Sequence, residues 1–152
     1  MKIETGHRPS YICVLWGEGL DEEGAVAFLV ALRRQGLPAK LVGIHQAESR
    51  GLHGVVLKAD MGLSALLPLA SQISHIIIPG STDDIQRFRQ DPRLADLLQQ
   101  VVEKGGELLV QVGCSEPDRE IPGWLAGNPI PFPHGQALHT FVREWSQRLA
   151  YV

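Results

Sequence analysis

The chain has 152 residues, 44% of them hydrophobic and 20% charged. That is ordinary globular usage for one domain with one core, and it excludes a disordered, collagen-like or disulfide-dense chain. The net charge of −3 offers no cationic surplus, so neither nucleic acid nor an anionic membrane is expected as a partner. No apolar run is long enough to span a bilayer, and the polar start, Met1 to Pro9, lacks the apolar stretch of a signal peptide. A cytoplasmic location is the expectation. In that compartment Cys13 and Cys114 are expected as free thiols.

Residues 11–16, YICVLW, predict a buried strand, broken by Gly17 and Gly19. Asp21, Glu22 and Glu23 open a helix whose apolar face uses Val26, Leu29, Val30 and Leu32, and Gly36 stops it. Residues 40–44 predict a second strand, residues 45–52 a polar turn, and residues 54–60 a third strand ending at Asp60. Gly62 to Leu69 predicts a short helix cut by Pro68. Residues 75–79, HIIIP, are the clearest buried strand, followed by a sharp Pro79-Gly80-Ser81 turn and a helical stretch from Asp83. Asp91-Pro92 begins another helix, with apolar residues at helical spacing from Leu94 to Val102. Residues 107–112 are a further strand, leading to Gly113-Cys114-Ser115-Glu116-Pro117. Residues 118–134, with four prolines and two glycines, read as a loop, and residues 137–149 as a closing amphipathic helix.

Strands alternating with helices predict an α/β fold with a mostly parallel sheet covered on both faces. Ligands in such sheets bind outside the carboxyl ends of the strands. Three segments meet there: 17–24, 79–82 and 113–117.

Those segments also carry a family resemblance. The runs ICVLWGEGLDEEGAVAFLVALRRQG (12–36), HIIIPGS (75–81) and GELLVQVGCSEP (106–117), with the strand-to-Asp segment 54–60, resemble the ThiJ/PfpI branch of the class I glutamine amidotransferase-like superfamily. The resemblance is strongest over residues 11–117. It implies one flavodoxin-like three-layer α/β/α sandwich across residues 1–152, a homodimer, and a reactive cysteine at a nucleophile elbow. It implies neither a cofactor nor a metal.

Carried over residue by residue, the resemblance makes Cys114 the nucleophile, with Gly80, Ser81 and Ser115 around the oxyanion. A second register, counted from Gly105, puts Val112 at the nucleophile position instead. The acidic partner of the thiol falls by count on Gly24, so Glu22 and Glu23 are the neighbouring candidates. The other role open to Asp21, Glu22 and Glu23 is a charge cluster at the positive end of a helix. Trp16, at the end of the first strand, is read as core or as a wall of the pocket, and Cys13 as a small buried hydrophobe. The six histidines and two cysteines show no zinc-like spacing. Gly17-Glu18-Gly19 is not a dinucleotide turn, because Glu22 stands where a third glycine belongs.

Three functions follow. One is a divergent, catalytically degenerate domain that binds a small ligand or a partner. The second is a cysteine-dependent hydrolase or glyoxalase-type enzyme acting on small carbonyl or amide compounds. The third is a thiol redox sensor.

Overall fold

The computed structural model describes residues 10–80, 82–111 and 127–151. Six parallel strands form the main sheet in the order β5-β2-β1-β6-β7-β8. They are β1 (Tyr11–Trp16), β2 (Ala39–Gly43), β5 (Met61–Gly62), β6 (Ile73–Ile78), β7 (Glu107–Gln111) and β8 (Ile130–Phe132). Without the short edge strand β5, this is the flavodoxin-like order. The order reverses direction between β1 and β6, which makes that crevice the switch point where ligands bind such sheets.

The central strands β1, β2, β6 and β7 are buried along most of their length, as a sheet covered on both faces requires. Val14, Leu15 and Trp16 of β1, and Ile76 and Ile77 of β6, have no exposed surface. On one face lie α1 (Glu22–Arg34) and α5 (Gln136–Ala150). They are joined through Phe28, whose ring meets those of Trp145, 5.7 Å away, and Phe132, 4.9 Å away. On the other face lie α2 (Leu63–Leu66), the 3-10 turn Leu67–Gln72 and α4 (Pro92–Glu103). A short helix, α3 (Thr82–Phe88), follows β6.

The capping chemistry is local. Asp21 accepts from the Glu23 N–H at 3.1 Å to start α1, and Asp91 accepts from the Arg93 N–H at 2.9 Å to start α4.

The short helix expected at 62–69 is indeed cut at Pro68: α2 stops at Leu66, and Pro68 lies in the first turn of the 3-10 segment, where its missing N–H costs nothing. Two expectations need correction. Residues 54–60 do not add a strand to the main sheet. β4 (Val56–Lys58) pairs antiparallel with β3 (Glu48–Arg50), which lies inside the expected polar turn, and the edge position goes to β5. The long loop contains β8, with Pro131 opposite Val110 on the sheet edge, where a residue without an N–H is tolerated.

Candidate functional site

At the carboxyl edge, the first turn of α1 meets three other segments. The Asp21 N–H donates to Pro79 O at 2.6 Å. Its carboxylate accepts from Gln111 Nε2 at 2.9 Å, where β7 ends. Gln111 is buried, and its Oε1 has no hydrogen-bond partner among the described residues. Gly24 faces the same spot. A methyl group on Gly24 would stand 3.3 Å from Asp21 Oδ2, 3.4 Å from Pro79 Cβ and 3.6 Å from Gln111 Nε2. A β-carbon there would fit with little adjustment, so Gly24 leaves room at this spot.

Glu22 lies beside that spot but turns away from it. Its side chain is buried, and it accepts from the backbone N–H of His53 at 2.9 Å and of Val55 at 2.9 Å. His53 Nδ1 adds a third donor at 2.7 Å. Burial alone would raise the pKa of this carboxyl; the N–H donors of His53 and Val55 outweigh it and hold the group down at about 2. The partner histidine moves the other way: the Glu22 hydrogen bond holds His53 above its usual value, helped by the charges of Glu22, Asp21 and Glu23. Glu22 therefore anchors the β3–β4 hairpin to α1. Trp16 supports the same hairpin from the fully buried end of β1, donating Nε1 to Ser49 O at 3.2 Å.

Glu23 takes a third direction. It is half-exposed, 3.9 Å from His139 of α5, in the groove between the two helices. Gly80 lies at the switch point, where its N–H donates to Ile78 O at 3.0 Å. A methyl group on it would fall 2.6 Å from Leu20 Cδ2. Cys114, Ser115, Ser81 and Val112 lie outside the described residues. Cys13 is buried, and burial pushes its thiol up to about 12, so it behaves as a small hydrophobe. Asp60 has a structural task, accepting from the Leu41 N–H at 2.8 Å and pairing with Arg33 at 2.8 Å.

His53 and Gln111 were missed by the sequence reading. Asp21, Glu22 and His53 bring one donor atom each to within 4.8 Å of one another, close enough to share a cation. Both Glu22 oxygens are already engaged by N–H donors, so the cluster is complete as a hydrogen-bonded carboxylate–imidazole pair.

No family model matches the sequence, and no curated protein matches it. Solved structures do match, across nearly the whole chain. An oxidised DJ-1 from Toxoplasma gondii superposes with a TM-score of 0.74 at 17% identity, covering 93% of this chain and 96% of that one. A DJ-1 superfamily protein from Salmonella typhimurium gives 0.67 at 14%, covering 93% and 88%. A two-domain protein from Anabaena variabilis, with DJ-1/ThiJ/PfpI-like and ferritin-like domains, gives 0.70 at 16%, covering 92% of this chain and 48% of that one. The chain has the DJ-1/ThiJ/PfpI-type α/β fold. Among the described residues, no helix is long and apolar enough to cross a membrane.

Proposed function

We propose that this chain is a divergent DJ-1/PfpI-like binding domain that holds a small ligand at the carboxyl edge of its sheet without thiol catalysis. One observation carries the reading. The position that the resemblance assigns to the acidic partner is Gly24, which brings no side chain to the spot lined by Asp21, Pro79 and Gln111. The nearest carboxylates are committed elsewhere, Asp21 to the helix cap and Gln111, and Glu22 to the hairpin. A cysteine nucleophile works with a neighbouring acid or base that manages its proton; Asp21, the carboxylate nearest Gly24, is instead paired with the Gln111 amide.

Turnover tests this reading. Wild type and Cys114→Ala, offered small aldehydes, amides and activated esters, are expected to give the same background rate. A rate that depends on Cys114 would replace the binding reading with the hydrolase or glyoxalase reading.

We further propose that the domain pairs with a second copy through α1. Glu23, Val26, Val30 and Arg34 run along one face at helical spacing, and both valines are about two-fifths exposed, at 41% and 42%. An antiparallel pairing places Glu23 against the partner's Arg34 with the valines between them, a self-complementary patch. Val30→Glu is expected to shift the sedimentation profile from dimer to monomer. A wild-type chain that sediments as a monomer at high concentration contradicts the pairing.

A further inference from the structure

The Gly17-Glu18-Gly19 turn is not a dinucleotide fingerprint, yet both glycines lie against the side chains of α3. A methyl group on Gly17 would fall 2.8 Å from Phe88 Cζ. At Gly19, whose φ is +83°, it would fall 3.1 Å from Arg87 Nη2. The carbonyl between them, Glu18 O, accepts from the same Arg87 nitrogen. The turn is thus shaped to receive the last two residues of α3. The Arg87 guanidinium lies over the Phe88 ring, 4.7 Å from its centre, and approaches Asp84 at 3.3 Å. It is held on several sides while half of its side chain stays exposed. Across from it, just after β2, the His45 ring stands 5.9 Å from Phe88. Between them is a cleft of about 220 Å³, also lined by Gln46 and Ser49.

We propose that this cleft binds a small planar monocarboxylate. It opens beside the carboxyl ends of β1 and β2, next to the switch point, where such sheets take their ligands. An arginine already fixed by a carbonyl and an aromatic face loses little freedom when a carboxylate arrives, and its planar fork suits that group. The Phe88 and His45 rings favour a flat apolar body. Drug-sized sites span roughly 300–1,000 Å³, so this cleft takes a smaller molecule. The surrounding charge limits the ligand to a single negative charge: Asp84 stands 3.3 Å from Arg87, and Asp91, 3.6 Å from His45, is itself tied to Arg93 at 2.9 Å. The inference rests on the binding reading in one respect, that the ligand is held and not turned over.

Benzoate is the probe, and its neutral isostere benzamide the comparator, in a ¹⁵N NMR titration of the wild-type chain. Benzoate is expected to give saturable shifts at the Gly17, Gly19 and Phe88 amides. Benzamide is expected to bind at least about ten-fold more weakly, the loss of a charge-assisted contact. Arg87→Met should weaken benzoate by a similar factor. Equal affinities for the two probes, shifts confined to other residues, or no saturable shift would each overturn the proposal. The comparison of probes on wild type decides the matter even if Arg87→Met fails to fold. Cys114-dependent turnover would defeat the binding reading while leaving this pattern of shifts in place, so the two failures are distinguishable.

Discussion

His53 and His75 each meet a glutamate, and the two pairs are built in opposite ways. At the carboxyl edge the carboxylate is the buried member: the side chain of Glu22 is 6% exposed and that of His53 is 60% exposed, with 2.7 Å between them. At the amino edge the histidine is the buried member: His75 is 10% exposed and Glu107 is 55% exposed, 3.4 Å apart. The titration follows which partner is buried. His53 is raised, because its hydrogen bond to Glu22 favours the imidazolium. His75 is lowered, because burial beside Trp145 disfavours its charge more than Glu107 favours it. A short ion pair by itself does not set the direction of a histidine's shift; desolvation of the ring against desolvation of its partner does.

That contrast can be broken at its strongest point first. Glu22→Ala leaves the His53 and Val55 N–H groups without their acceptor and loosens the hairpin. It is expected to cost about 3 kcal/mol in thermal or urea unfolding, and to return the His53 titration towards its ordinary value near 6.5. A loss under about 1 kcal/mol would mean that the hairpin is held mainly by Trp16 and the backbone contacts.

The next effect is in pH. The folded His75 pKa lies below 6.5, so the unfolded chain binds the extra proton first as pH falls. Stability is therefore expected to drop from pH 6.5 downward to the folded pKa, and His75→Phe is expected to flatten that part of the profile. His53 acts with the opposite sign. Its contribution is present below 6.5 and is lost as pH rises through its raised folded pKa. Glu22, held at about 2, contributes above its ordinary value of 4.5 and loses that contribution as pH falls towards 2. Proton NMR of the two histidines, expected on opposite sides of 6.5, reads the comparison directly.

The smallest effect sharpens it. His53→Ala removes only the exposed ring and keeps the backbone N–H that Glu22 uses, so it is expected to cost much less stability than Glu22→Ala. A cost equal to that of Glu22→Ala would mean that the imidazole, not the loop backbone, carries the anchor.

Much of the fold was legible in the sequence, and much of the site was not. The buried β-branched runs marked β1, β6 and β7. Asp21 and Asp91, as caps ahead of apolar periodicity, marked α1 and α4. The hairpin strands β3 and β4, three residues each, are too short for alternation to rise above noise. β8 was hidden by Pro131, which reads as a loop residue until its edge position is known. Counting the helix back puts the expected acidic position on Gly24, but nothing in the sequence tells which neighbouring carboxylate turns where. Glu22, Glu23 and Asp21 are adjacent in the chain, yet they face the hairpin, the α5 groove and Gln111 respectively. His53 carried no signal either, because its partner lies 31 residues away and its own surroundings read as a polar turn.

The most direct test of the proposed binding function is the thiol itself. The alkylation rate of Cys114 against pH, measured in a Cys13→Ser background, is expected to titrate near the free-thiol value of about 8.5. A titration well below about 7 would show a thiolate activated by its surroundings, and would contradict the account of a binding domain that has given up the chemistry of its fold.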